Sequence, residues 1–215
     1  MAVHLFPLHR PIALKSASTL PPSRQVMEDS PHVLTAILED DVNLAVWQRH
    51  LPSHIADFSA LVLSLGQRLT DERVVEVQES RPVVLTDLLA GTQDLSGYEA
   101  FVADVTWLVE AFTCLVGARR IGLRLRVLQG AMCPRFHVDQ VALRLLTTYA
   151  GSGSEWLRDL ADADVADRCH RLAEGDVALL KGENWSGNEG RGLVHRSPGA
   201  TQDAGRLLLS IDWLQ

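Results

Sequence analysis

Cys133-Pro134-Arg135-Phe136-His137-Val138-Asp139 is the stretch on which the reading of this chain turns. If it is extended, alternate side chains point to opposite faces, so His137 and Asp139 project together while Phe136 and Val138 pack behind them. One face offers ligands and the other offers core. Two strand rises of ~3.3 Å set the imidazole and the carboxylate about 6.6 Å apart along the chain, so both can converge on one divalent ion. A third ligand must come from elsewhere, and His195, in Leu193-Val194-His195-Arg196-Ser197-Pro198, is the natural candidate. Two histidines and one carboxylate form a facial triad, the donor set that leaves positions open on non-haem Fe(II).

Around this stretch the chain reads as short β-type runs, at residues 121–129, 136–139, 141–149, 177–181, 193–195 and 206–213. Between them lie Gly151-Ser152-Gly153, an Asp-rich excursion at 159–167 and a glycine-rich loop at 182–192. Upstream the apolar period is helical. Val42, Ala45, Val46 and Leu51 predict a helix over 41–50 that Pro52 stops. Ser53 is the expected N-cap of a second helix carrying Ile55, Phe58, Leu61, Val62 and Leu65, with Gly66 as its stop. A short strand is expected at 74–77. Ser96 and Glu99 have capping-box spacing and open a long helix whose apolar stripe runs through Phe101, Val105, Leu108 and Phe112 to Gly117. His50 and His54 stand four apart, but Pro52 between them favours surface or capping roles over a shared metal.

Helices followed by many short strands predict an α+β chain, an N-terminal helical layer supporting a C-terminal jelly-roll or cupin-type barrel. The expected division is an arm at 1–30, broken by Pro7, Pro11, Pro21 and Pro22, and one domain at 31–215. In that domain, 31–118 is the helical support and 119–215 the barrel. At 215 residues, 47% hydrophobic and 22% charged, the chain suits a single domain with a sizeable core. The net charge of -7 would repel polyanions, so nucleic acid and anionic membrane surfaces are not expected partners. No apolar run reaches the roughly 18 residues of a membrane span, and the N-terminus lacks the continuous apolar core of a signal peptide. Cys114, Cys133 and Cys169, odd in number and widely spaced, read as reduced thiols in a cytoplasmic protein.

The order of these signals resembles the double-stranded β-helix of Fe(II)/2-oxoglutarate-dependent oxygenases, in particular the prolyl-hydroxylase-like branch. The features that carry the resemblance are the His137-x-Asp139 strand, residues 144–149 running into Gly151-Ser152-Gly153-Ser154-Glu155-Trp156, Gly175-Asp176-Val177-Ala178-Leu179-Leu180, His195, and Arg206 eleven residues later. The likeness covers roughly residues 121–215. It implies Fe(II) on His137, Asp139 and His195, with Arg206 meeting the distal carboxylate of 2-oxoglutarate and an unidentified substrate undergoing hydroxylation. The Arg-x-Ser signature common at this place is absent, since Ser210 stands four residues after Arg206.

The whole chain also resembles a bacterial family known only as domain of unknown function 1826. Its Cys-Pro-Arg-Phe-His-x-Asp, Arg-Leu-Leu-x-Thr-Tyr, Leu-Leu-Lys-Gly-Glu and Val-His-Arg-Ser-Pro stretches are matched here. Genes of that family tend to lie beside those of zinc-responsive GTPase metallochaperones, which implies metal homeostasis and a metallochaperone GTPase as partner. The alternative function is therefore a non-catalytic zinc protein using the same three ligands.

The remaining candidates follow from chemistry. Arg206 lies among leucines, so its charge must reach solvent or find an anion, and a carboxylate held by its guanidinium fork would satisfy it. Tyr149 could add a phenolic donor to that carboxylate, and Arg144 is a second anion partner. Cys133 could complete a zinc site, although on a continuous strand its Cα would lie about 13 Å from that of His137. Trp156 and Trp185 are candidates for the rim of the pocket.

Overall fold

The structure is a computed structural model and describes residues 22–78, 81–158, 168–199 and 205–214. Most of the expected arm, and the Asp-rich excursion at 159–167, lie outside the described residues. In chain order the elements are β1 (Arg24–Glu28), a 3-10 helix (Pro31–Leu38), β2 (Val42–Trp47), α1 (Ser53–Ser64), β3 (Thr70–Glu76) and α2 (Tyr98–Val116). Then follow β4 (Arg120–Leu128), β5 (Leu143–Ala150), β6 (Glu155–Trp156), β7 (His170–Arg171), β8 (Val177–Lys181), β9 (His195–Arg196) and β10 (Arg206–Trp213).

Two sheets face each other. The major sheet has the order β1-β2-β8-β5-β10-β4-β3 and the minor one β7-β6-β9. All pairings are antiparallel except β1 with β2. Strand alternation divides the major sheet into two chemically different faces. On β5, Leu143, Leu145 and Tyr149 join the buried residues of α1, α2 and the 3-10 helix in one large core, whereas Leu146 packs toward the minor sheet with Leu208, Ala178, Leu180 and Trp156. On β10, Leu207, Leu209 and Ile211 point to the helices, leaving Arg206, Ser210 and Asp212 for the other face.

α2 forms because Phe101, Val105, Leu108, Val109 and Phe112 recur along one stripe and are all buried. Each fully buried side chain of that size contributes roughly 1.5–3 kcal/mol. The expected capping box at Ser96 and Glu99 is replaced by Gly97 at the N-cap, with φ of 89°. A Cβ on Gly97 would stand 2.3 Å from the His54 carbonyl oxygen, so the close approach of α1 to the start of α2 requires glycine there. Gly117, at φ 63°, ends the helix as expected. The N-cap of α1 is Pro52 rather than Ser53.

Several expectations change. The N-terminal part of the chain is not a purely helical layer, because β1, β2 and β3 all join the major sheet. The predicted helix at 41–50 is β2. Its six residues lie between β1 and β8 with five of them buried, and a strand covered on both faces loses the period-two alternation that would identify it. Residues 24–28 of the expected arm form the edge strand β1. β3 begins at Thr70 because an edge strand can carry Asp71, Glu72 and Arg73 in partial contact with solvent. The run at 136–139 makes a single bridge rather than a strand. Among the described residues no helix is long and apolar enough to cross a membrane.

Candidate metal centre

That single bridge builds the site. His137 and His195 are directly opposed, and each backbone N–H donates to the other's carbonyl oxygen at 3.0 Å. Residues opposed across one antiparallel bridge send their side chains to the same face. The two imidazoles accordingly lie with ring centroids 4.5 Å apart. β9 in turn is held by β6, where His195 pairs with Trp156.

The rings are also fixed in tautomer. Nδ1 of His137 lies 2.9 Å from the Arg135 carbonyl oxygen, and Nδ1 of His195 lies 3.1 Å from that of Leu193. A carbonyl only accepts, so both Nδ1 atoms carry the proton and the lone pair of each ring is on Nε2, the side facing Asp139. Asp139 completes the set, with Oδ2 3.4 Å from His195 Nε2 and Oδ1 3.9 Å from His137 Nε2. One ligand atom from each residue lies within 4.8 Å of the others, and all three residues are buried. Burial pushes the His195 imidazole down to about 4 despite the nearby Asp139 carboxylate, which keeps the ring neutral and able to ligate at neutral pH.

Asp139 is oriented from behind. Arg144, on β5, donates from Nη1 to Asp139 Oδ1 at 2.5 Å and grips Asp212 of β10 through Nε and Nη2 at 2.5 and 2.9 Å. Arg124 of β4 also pairs with Asp212, at the Oδ2 that Arg144 Nη2 reaches. Burial works against charge on Arg144, but the two carboxylates raise its affinity for the proton above the ordinary arginine value. The chain Asp139–Arg144–Asp212–Arg124 crosses three adjacent strands and holds Oδ1 of the ligand residue, leaving Oδ2 toward His195.

Comparison with known proteins fits this geometry. The profile described as "Protein of unknown function (DUF1826)" matches residues 28–212. The chain belongs to that family. No curated protein matches this DUF1826 chain. Among solved structures it is similar to dioxygenase for auxin oxidation 1 from Arabidopsis thaliana in its 2-oxoglutarate binary complex. The identity there is 12%, the TM-score 0.54, and 89% of this chain and 92% of that one are covered. The rice dioxygenase for auxin oxidation gives 13% identity and a TM-score of 0.54 over 89% and 83% of the two chains. A putative oxygenase from Shewanella oneidensis gives 10% identity and 0.50 over 88% and 89%. At these identities the likeness is one of fold, the double-stranded β-helix of 2-oxoglutarate oxygenases.

In the DUF1826 chain the two histidines share a pocket with Arg206, which is 3% exposed. Arg206 donates from Nη1 to Ser154 Oγ at 3.3 Å and from Nη2 to Ser197 Oγ at 2.9 Å, while its Nε has no hydrogen-bond partner. Among the described residues no carboxylate pairs with it, and burial pushes its guanidinium down to about 10. It is a buried cation whose described hydrogen-bond partners are two serine hydroxyls.

The other expected site residues are elsewhere or otherwise engaged. Arg144 is consumed by Asp139 and Asp212 and is not available to a ligand carboxylate. Tyr149 lies on the opposite face of β5, in the helix-side core. Its hydroxyl donates to Asp104 Oδ2 at 2.6 Å and its ring meets Phe101 edge-on. The pair at 144 and 149 differs by an odd number, and on a strand that parity sends them to opposite sides. Cys133 lines the pocket but is outside the three-ligand cluster, and burial raises its thiol above the usual value. Trp156, on β6, is buried between the two sheets and stacks on His170, while Trp185 packs against Trp213 and Lys181, and neither is among the residues lining the pocket. Asp212, Ser154 and Ser197 were not anticipated. For Asp212 a signal existed, since a carboxylate inside Leu207-Leu208-Leu209-Ser210-Ile211-Asp212-Trp213 demands a buried partner just as Arg206 does.

Proposed function

We propose that this chain is an Fe(II)- and 2-oxoglutarate-dependent oxygenase that hydroxylates a substrate held over the His137/Asp139/His195 centre. The observation that carries the reading is a buried His/Asp/His set, with both Nδ1 atoms held on backbone carbonyls, sharing its pocket with an arginine that has no acidic partner among the described residues. Three protein ligands leave positions open, which suits chemistry rather than storage. Bound there, Fe(II) together with 2-oxoglutarate and oxygen supplies the oxidising power. The protein's part is geometric. His137 and His195 contribute Nε2, Asp139 contributes Oδ2, and Arg144 fixes the Asp139 carboxylate. Arg206, backed by Ser154 and Ser197, orients the distal carboxylate of the cosubstrate. The buried walls keep bulk water from the reacting atoms.

The test is metal analysis of protein purified without oxygen, followed by calorimetry with 2-oxoglutarate on wild type and Arg206→Ala. Iron incorporation and cosubstrate binding that falls at least tenfold in the variant support the reading. Stoichiometric zinc with no affinity for 2-oxoglutarate overturns it in favour of a non-catalytic zinc protein.

A further inference from the structure

The pocket holds more positive charge than its cofactors would use. Among the described residues that line it are Arg124, Arg126, Arg144, Arg196 and Arg206, and no carboxylate. Their described acidic partners are Asp212 for Arg124 and Arg144, Asp139 for Arg144, Glu72 for Arg126 and Glu155 for Arg196. Five guanidinium charges thus meet four carboxylates, and Glu155 is further shared with Arg171. A divalent ion adds two positive charges and the 2-oxoglutarate dianion removes two. Among the described residues the filled site therefore carries more guanidinium than carboxylate charge, in partly desolvated surroundings. In a chain of net charge -7 this is a local basic concavity, and a concavity of one sign focuses attraction for the opposite one.

The arginine best placed to take a further ligand is Arg126. The minor sheet covers the major one over β2, β8, β5 and β10, but β4 adds only the partly buried Leu128 to that packing. The pocket is therefore open over β4, where Arg126 sits with its side chain 23% exposed. Nε and Nη2 of Arg126 both rest on the single atom Oε1 of Glu72, at 2.8 and 2.5 Å, and that glutamate is itself 30% exposed. Nη1 faces the Met132 sulfur at 2.8 Å, and a thioether is a weak acceptor. A guanidinium held by one exchangeable carboxylate oxygen and a sulfur is poorly satisfied compared with the bidentate grip that an oxyanion gives.

We infer that the primary substrate carries an oxyanion, a carboxylate or a phosphate, which displaces Met132 and is bound by Arg126 over β4. The inference rests on the oxygenase reading and adds the substrate class to it. The experiment uses full-length, metal-loaded protein saturated with 2-oxoglutarate in the absence of oxygen, so that Arg206 and the metal are already occupied. Acetate, inorganic phosphate and neutral acetamide are then titrated separately, with binding read by ligand-observed NMR. At least one anion binds and acetamide does not, and the preferred anion distinguishes carboxylate from phosphate. Arg126→Ala weakens anion binding at least tenfold and Arg126→Lys by less, while 2-oxoglutarate affinity is unchanged, which also shows that the variants fold. Binding of neither anion, equal binding to wild type and Arg126→Ala, or acetamide binding as well as acetate overturns the inference. If 2-oxoglutarate itself fails to bind wild type, the oxygenase reading falls first. If it binds and the anion results fail, only the substrate class is lost.

Discussion

The two faces of the major sheet are built from the same strands and do opposite things with charge. Toward the helices, β4, β5 and β10 present Leu123, Leu125, Leu145, Leu209 and Ile211, and Tyr149 of β5 closes the partly buried ion pair of Arg49 with Asp104 through its hydroxyl. Toward the minor sheet the same strands present Arg124, Arg126, Arg144, Arg206 and Asp212. The helix-side pair is complete: Arg49 bonds both oxygens of Asp104 at 2.7 and 2.9 Å and also donates to the Gly175 carbonyl oxygen. The pocket-side network runs through Asp139 and Asp212, and among the described residues Arg206 has no acid. Stability is concentrated on the face whose charges are matched, and the capacity to bind on the face where one is left over.

Breaking the matched part of the pocket face has the largest expected effect. Arg144→Met removes the cation between two buried carboxylates, and loss of one partner from a buried pair costs about 3–5 kcal/mol. The chemical denaturation midpoint should fall with an unchanged m-value. Metal affinity, measured by competition with a chelating dye, should fall roughly 10–100-fold as Asp139 loses its orientation. A midpoint within experimental error of wild type would show that the two faces do not differ as described.

Next in size is the pH response of the metal-free protein. An exposed histidine titrates near 6.5, whereas burial holds His195 at about 4. Between those values the unfolded chain binds a proton that the folded chain refuses, so stability is lost as pH falls from 6.5 toward 4 and is fully present above that window. The difference amounts to about 3 kcal/mol. Denaturation of metal-free wild type and His195→Gln at pH 7 and pH 4.5 checks this, since the variant should lack that component of the slope. Parallel pH profiles for the two proteins would mean that residue 195 is solvated when folded.

Much of this was legible in the residues, and the misses have physical causes. The sequence spacing predicts strands at 177–181 and 206–213, and β8 and β10 occupy those residues. It also brings His137, Asp139 and His195 together, although through a cross-strand bridge rather than the expected strand. β2 reads as a helix because Val-Asn-Leu-Ala-Val-Trp is apolar toward both faces, and burial on two sides erases alternation. The partners of Arg144 and Arg206 are unreadable because Asp212 and Arg144 lie 68 residues apart, and strand order, not local pattern, makes them neighbours. Tyr149 shows a different kind of miss. Its phenol is expected to share a ligand carboxylate with Arg206, but its odd spacing from Arg144 along β5 already puts it on the other face.

That residue also supplies the finest test of the two-face description. Tyr149→Phe keeps the ring against Phe101 and removes only the hydroxyl that donates to Asp104. A hydrogen bond to a charged group contributes roughly 1.5–3 kcal/mol, and Arg49 remains to satisfy the carboxylate, so a loss near the lower figure is expected. Because the side chain faces the helices, the change should leave both metal affinity and 2-oxoglutarate affinity at their wild-type values. A drop of more than about threefold in 2-oxoglutarate affinity, roughly 0.6 kcal/mol, would mean that β5 transmits strain from one face to the other. The faces would then have to be treated as one coupled network, in which the ion pair under the helices helps to position the arginine–carboxylate chain behind Asp139.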